Sequence, residues 1–314
     1  MTFPKECTLA VSTPDGVRLS AKRFGTGRAQ TSVIFVHGLL TDSTYWAPLA
    51  EHLTSRLGDT VDLYLYDQRG HGNSGWPHRR ATTTLATMAA DLDAIVSRVA
   101  GRVILVAHSA GSLVAQAFAE HHPRQFRELA AAVLFSPAGE FPEYPALPSY
   151  FLSIPNALSG PRPGALDALN VLAHRALQAR FRRLSRRYGS RSPFVTGRHN
   201  GDPRVLCDFV HALRHFYLGP QTIATLRAVP TVVLGAERDG VVPASQSARL
   251  ADKIEADFEL ATGVGHSLPH ADPIRSATAV ESTIARVGGP RVSIGYSGAE
   301  NDIAWGVHGS GSEG

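Results

Sequence analysis

The stretch Arg102-Val-Ile-Leu-Val-Ala-His-Ser109-Ala-Gly-Ser-Leu-Val-Ala-Gln116 joins a buried-strand pattern to a helical one through a single serine. Val103–Ala107 is continuously apolar and rich in β-branched residues, as a strand covered on both faces must be. Ser112–Ala119 then reads as a helix of small and aliphatic residues. A serine at such a corner sits on a strained turn that lifts its hydroxyl above the sheet edge. Its neighbours must be small, because helix and strand pass too closely for larger side chains. Here they are Ala107 and Gly111, so alanine replaces the first glycine of the G-x-S-x-G pattern. Taken alone, the same residues suit an ordinary strand–helix turn, and the rest of the chain decides between the two.

Working outward, residues 7–24 alternate polar and apolar around Pro14-Asp15-Gly16, which predicts an edge hairpin with an Asp-Gly turn. Ser32–Val36 reads as a short buried strand ending in His37-Gly38, and Tyr45–Leu57 as a helix with Thr41, Asp42 and Ser43 offering caps before it. Val61–Tyr66 is a strand that ends at Asp67-Gln-Arg-Gly-His-Gly-Asn-Ser74. Leu85–Val99 carries helical spacing at Leu85, Met88, Leu92, Ile95, Val96 and Val99. Beyond the serine, Ala131–Phe135, Thr231–Leu234 and Phe258–Leu260 supply further strands, the last two each followed by a helical pattern. Such alternation predicts an α/β fold: a mostly parallel sheet with helices on both faces.

The alternation breaks between about Pro137 and Val229. Prolines at 142, 145, 148, 155, 161 and 163 precede an arginine-rich helical run and a second helical stretch near Val205–Leu218. This reads as a helical cap inserted over the sheet. The expected division is a core of residues 1–137 and 226–287, a cap at 138–225, and a Gly/Ser-rich tail at 288–314. The tail buries too little surface to offset its ordering.

At 314 residues, 43% hydrophobic and 18% charged, the chain can build a large core. No run of about 18 apolar residues predicts a membrane span. Met1-Thr-Phe-Pro-Lys-Glu-Cys lacks a basic-then-apolar leader, which points to the cytoplasm. Cys7 and Cys207 lie in unrelated segments and suggest free thiols rather than a disulfide or metal site. A net charge of +4 is too mild to imply nucleic acid as a partner.

A serine hydroxyl is a poor nucleophile near neutral pH and needs a base, with a third group to orient that base. Gly235-Ala-Glu-Arg-Asp239-Gly-Val-Val-Pro243 follows the strand at Thr231–Leu234, and Gly263-Val-Gly-His266-Ser follows the strand near Phe258. Ser109, Asp239 and His266 therefore come in the order nucleophile, acid, base, each in a loop at a strand's C-terminal end. Ligands of open α/β sheets bind outside those ends, so the three loops are expected to converge. Asp252, Asp257 and Asp272 rival Asp239 but sit in helix or turn contexts. His37 and His270 rival His266; His270 is read as the start of the last helix, where a protonated imidazole is disfavoured.

With these segments the chain resembles the α/β-hydrolase superfamily, its serine esterases and lipases with a cap. The likeness rests on His37-Gly-Leu39, Asp67–Ser74, Ala107-His-Ser-Ala-Gly111, Glu237-Arg-Asp239 with Val242-Pro243, and Gly265-His266. It covers about residues 7 to 287 and leaves the body of the cap and the tail unmatched. The resemblance implies that Ser109 attacks a carbonyl, His266 takes its proton and Asp239 orients the imidazole. It implies an oxyanion hole from the backbone N–H groups of Leu39 and Ala110, with His37 in an architectural role in that loop. Leu40, His108 and Val241 are the candidate substrate contacts, with His108 either lining the pocket or packing. Relatives such as haloalkane dehalogenases and epoxide hydrolases carry aspartate at the nucleophile position, so Ser109 argues for acyl chemistry. Asp67, Arg69 and His71 are read as shaping a loop.

The expected function is cleavage of a carboxylic ester or related acyl bond of a mainly apolar small molecule, without cofactor or metal. Carbon–carbon hydrolysis, lactone chemistry, acyl transfer and cofactor-free perhydrolysis share the same site, and a small-molecule receptor is the non-enzymatic alternative. His211 and His215, spaced i, i+4, lack the glutamate of a zinc-protease helix, since Ala212 follows the first histidine. Eight arginines from Arg175 to Arg198 fall mostly on the face opposite an apolar stripe running from Leu166 to Tyr188. They read as a solvated helix face, as a grip on an anionic substrate, or as a contact for an anionic membrane surface or partner protein.

Overall fold

A computed structural model describes residues 6–39, 41–76, 83–137, 139 and 203–288 of the chain. The expected proline-rich stretch, arginine-rich helix and Gly/Ser tail lie outside these residues. Eight strands form one sheet: β1 (Glu6–Ser12), β2 (Arg18–Phe24), β3 (Thr31–Val36), β4 (Val61–Tyr66), β5 (Arg102–His108), β6 (Ala131–Phe135), β7 (Thr231–Ala236) and β8 (Asp257–Ala261). Their spatial order is β1-β2-β4-β3-β5-β6-β7-β8. β1 and β2 form the antiparallel hairpin at one edge, and β2 pairs antiparallel with β4. From β4 to β8 every pairing is parallel. The hairpin turns at Asp15-Gly16, where Gly16 takes φ +83° and Val17 N–H donates to Thr13 Oγ1 at 2.9 Å.

Period-two alternation sorts the central strands between two cores. Ile34 and Val36 of β3, with Val103, Leu105 and Ala107 of β5, face one side. Val33, Phe35, Ile104 and Val106 face the other. On the first side lie α2 (Leu85–Val96), α3 (Gly111–His121), α6 (Pro220–Arg227) and α7 (Ala244–Ile254), contributing Leu92, Phe118, Leu226 and Leu250. The second side is covered by α1 (Ala47–Leu57) and α9 (Pro273–Val287), with Trp46, Leu53 and Val280 buried beneath. Because both faces of central β5 are covered, its run at Val103–Ala107 is continuously apolar and carries no polar alternation.

The elements follow the sequence reading, with local differences. The predicted Tyr45 helix opens instead as a 3-10 turn at Ser43–Trp46, and α1 begins at Ala47. Pro48 is the cause. It has no N–H to give the Thr44 carbonyl, which instead accepts the N–H of Ala47. α2 stops at Val96 rather than Val99, as Arg98 and Val99 turn back onto the carbonyls of Ile95 and Val96. The last helix begins at Pro273 and not at His270, which lies on the short preceding helix α8 (Leu268–Ala271).

Toward the end of the expected cap, α5 (Pro203–Arg214) sends Phe209 and Leu213 into the first core, followed by Phe216 and Leu218. Asp208 on α5 accepts the backbone N–H of Thr83 at 2.8 Å. The boundary expected at 225/226 falls inside α6, which packs on α3, α7 and the short helix α4 (Pro123–Arg127). Among the described residues no helix is long and apolar enough to cross a membrane.

Candidate active site

β5 delivers the chain to Ser109, whose φ of +52° lies in the left-handed region that a side-chain-bearing residue seldom enters. The turn is held by hydrogen bonds on both sides. Ser109 N–H donates to Phe135 O on β6 at 3.0 Å, while Ser112 N–H and Oγ–H both donate to Ser109 O. Such strain persists only where the surroundings over-determine it. Gly111 opens α3 against the end of β3. A Cβ there would lie 2.5 Å from the carbonyl oxygens of both Val36 and His37, so glycine is required. No such demand exists at Ala107, whose methyl group is fully buried among aliphatic neighbours in the first core. That explains how alanine stands where the motif's first glycine is usual.

β7 and β8 bring the other two side chains to the same rim. His266 Nε2 lies 2.8 Å from Ser109 Oγ, and His266 Nδ1 lies 2.8 Å from Asp239 Oδ2. The second carboxylate oxygen, Asp239 Oδ1, accepts the N–H groups of Val241 and Val242, each at 2.8 Å. With the carboxylate acting as acceptor on both oxygens, the imidazole proton sits on Nδ1 and the Nε2 lone pair faces the serine hydroxyl. The loops carrying Asp239 and His266 are tied to each other. Arg238 N–H donates to Val264 O at 2.8 Å, and Gly263 N–H donates to Glu237 Oε2 at 2.7 Å. Ser109 and His266 keep only 8% and 7% exposure, so the interaction is shielded from bulk water.

The rivals go elsewhere. Asp272 caps α9 by accepting Arg275 N–H, Asp257 pairs with Arg286 at the surface, and Asp252 is exposed on α7. His270 stacks on Tyr45 with ring centres 5.9 Å apart. His37 is fully buried and accepts Gln68 N–H at Nε2 (3.0 Å). Its proton is therefore on Nδ1, which lies 2.9 Å from Gly38 O. Burial drives the His37 pKa down and keeps the ring neutral. Thr41 Oγ1 also donates to Gly38 O at 2.8 Å. Because a peptide's C=O and N–H point oppositely, holding Gly38 O turns the N–H of Leu39 the other way. Neither Leu39 N–H nor Ala110 N–H donates to an acceptor among the described residues.

The loop after β4 is built as the sequence suggests. Asp67 accepts Ser43 N–H and Asn73 N–H at 2.7 and 2.8 Å, and a Cβ at Gly72 would collide with that carboxylate. Arg69 is buried in a fork with Asp91 at 2.6 Å and also reaches Asp15 in the hairpin turn. Of the candidate substrate contacts, Val241 is half-buried against the first core, as is the oxyanion-loop residue Leu39, and Leu40 lies outside the described residues. His108 is fully buried behind the site and stacks on Tyr45 at 4.7 Å. Tyr45 carried no signal in the sequence, since an aromatic residue near a helix start reads as ordinary core. The rings of His211 and His215 lie 4.4 Å apart, tilted by 42°, and His215 Nδ1 is 2.9 Å from His211 O.

Comparison with known proteins places these features in company. The family profile described as serine aminopeptidase, S33, matches residues 27–271. Among solved structures, the esterase RhEst1 from Rhodococcus sp. ECU1013 superposes with a TM-score of 0.66 at 23% identity, covering 90% of this chain and 100% of that one. A thermophilic esterase from Thermogutta terrifontis gives a TM-score of 0.67 at 20% identity, covering 89% and 98%. These likenesses establish a common fold. Among curated proteins, one named "Probable oxidoreductase EphD" from Mycobacterium bovis is 30% identical over 115 residues. That match takes in 36% of this chain and 19% of the other protein, so the chain spans a small part of its curated relative's length.

Proposed function

Because the chain belongs to the α/β-hydrolase family described as serine aminopeptidase, S33, we propose that it is a serine hydrolase acting on an ester or related acyl bond. One observation carries the reading: a single imidazole lies 2.8 Å from a serine oxygen on one side and 2.8 Å from a carboxylate oxygen on the other. In this reading Ser109 Oγ attacks the substrate carbonyl while His266 Nε2 takes its proton. Asp239 holds the Nδ1–H tautomer and stabilises the imidazolium that forms. The tetrahedral oxyanion is received by the N–H groups of Ala110 and Leu39. The first lies at the N-terminal end of α3, where the helix dipole adds positive potential. Each such donor contributes about 3 kcal/mol to transition-state stabilisation. Collapse of the intermediate expels the alcohol, protonated by His266, and leaves acyl-Ser109. Water activated by the same imidazole then releases the acid and restores the serine.

The names of the fold's esterase neighbours support esters as the substrate class. Half-buried Leu39 and Val241 beside the site support an apolar acyl or alcohol group. Residues 138–225 are proposed as the element that selects it, since inserted segments vary while the sheet holds the chemistry.

The test is Ser109→Ala, assayed with a serine-directed fluorophosphonate and a panel of p-nitrophenyl esters and aminoacyl amides. The variant is expected to keep the wild-type melting temperature, lose labelling and lose turnover of whichever class the wild type cleaves. Labelling equal to wild type overturns the assignment of the nucleophile.

A further inference from the structure

His108 occupies a position that the reaction above leaves without a task. It is the last residue of β5, paired with Phe135 on β6 and joined directly to Ser109. Its ring is fully buried and stacks on Tyr45 at 4.7 Å with 19° between planes. Trp46 meets it edge-on at 6.3 Å, and the His266 ring lies 4.9 Å away. Nε2 is 2.7 Å from the backbone carbonyl oxygen of His266. A carbonyl only accepts, so Nε2 carries the proton and donates it. Nδ1 is then a bare lone pair with no partner among the described residues, and the Cα of Gly38 closes over it: a Cβ there would sit 3.1 Å away. One ring thus touches the nucleophile's strand, the peptide of the base and the loop that carries Leu39.

We infer that His108 is a positioning residue for His266. Its Nε2–H holds the His266 peptide and thereby fixes the approach of the imidazole to Ser109. The inference rests on the reading of Ser109, His266 and Asp239 as the reacting set. Three features make the arrangement suited to this task rather than to packing alone. A buried ring that served only to fill space would be apolar, because a buried lone pair left unpaired is costly. The stack on Tyr45 restricts the ring's rotation, so the donor points one way. Burial, with the neighbouring His266 adding to it, also holds His108 neutral, so it does not oppose the positive charge His266 acquires in the reaction.

Two substitutions separate donor from shape. His108→Phe keeps a ring on Tyr45 but removes the N–H, whereas His108→Gln places an amide N–H where Nε2 stood. Steady-state turnover of a p-nitrophenyl ester and the rate of fluorophosphonate labelling are measured for both, alongside thermal melts. In His108→Phe, kcat and the labelling rate are expected to fall about 100-fold with KM little changed, the scale of a small misplacement of a reacting group. His108→Gln is expected to recover most of that loss. Wild-type labelling and kcat in a folded His108→Phe overturn the inference, as does a folded His108→Gln as slow as the phenylalanine variant. Should His108→Phe fail to fold, His108→Met repeats the loss of the donor in a more adaptable side chain. Wild-type turnover in Ser109→Ala would instead overturn the reading of the reacting set, so the two failures remain distinct.

Discussion

At the level of single residues, the carboxylate of Asp239 does two jobs that one substitution separates. Oδ1 is engaged by two backbone N–H groups and Oδ2 by His266 Nδ1. Asp239→Asn can keep its oxygen on Val241 and Val242, which leaves an NH2 group facing the imidazole. The ring must then present a lone pair at Nδ1 and carry its proton on Nε2, where Ser109 needs an acceptor. The expected outcome is a folded protein with a melting temperature near wild type and kcat reduced about 10⁴-fold. Ester hydrolysis and melting curves for the purified variant check it, and a loss below tenfold contradicts the orienting role. The three side chains were legible in the sequence because each lies in a loop beyond the C-terminal end of a strand pattern, beside small residues. An architectural place for His37 in its loop was readable, but its bond to Gly38 and that of His108 to His266 were not. They depend on which ring nitrogen bears the proton, and that is set by partners far along the chain, Gln68 for one and the His266 carbonyl for the other.

Among elements, the decisive contact is between the elbow helix and the strand beside it. α3 starts so close to the end of β3 that only hydrogen fits at Gly111. Gly111→Ala places its methyl against two main-chain oxygens, neither of which can turn away. The helix must therefore shift, at a cost of about 1–3 kcal/mol by analogy with overpacked cores. Because Ala110 N–H and Ser109 move with the helix, turnover is expected to fall further than stability. Urea denaturation and kcat/KM measured together test this, and a variant of unchanged stability and rate contradicts it. Alternation of strand and helix, with the Asp-Gly hairpin, made the sheet and its two helical layers readable in advance. The spatial order was not readable, because β4 lies between β2 and β3 through ladder bonds that leave no local trace. Helix ends were missed for a local reason that is visible in retrospect. Pro48 denies the Thr44 carbonyl its α-helical partner and forces a tighter turn before α1.

For the molecule as a whole, the site is obtained by burying groups that resist acid. His37 and His108 are fully buried, and burial lowers both pKa values below the ordinary histidine range. In the unfolded chain both titrate near about 6.5. Near and below that pH the unfolded state takes up protons at these two rings more readily than the folded state does, so stability falls as pH falls. One group acts in the opposite sense. Burial, against the pull of Arg69, raises Asp91 to about 6, so the folded state binds that proton before the unfolded chain does. Below about pH 6 two histidines that favour the unfolded state outweigh one carboxylate that favours the folded state, so stability declines with falling pH. Urea unfolding at half-unit steps from pH 7.5 to 4.5 measures this slope. The stability is expected to be level above pH 7 and to decline below pH 6. Substitution of His108 by phenylalanine removes one of the two refusing groups. Its curve is expected to fall less steeply across the same interval, whatever its absolute stability, because the remaining histidine and Asp91 then oppose each other. An unaltered slope in that variant would mean that His108 is protonated in the folded protein, contrary to a ring held neutral between Tyr45 and His266.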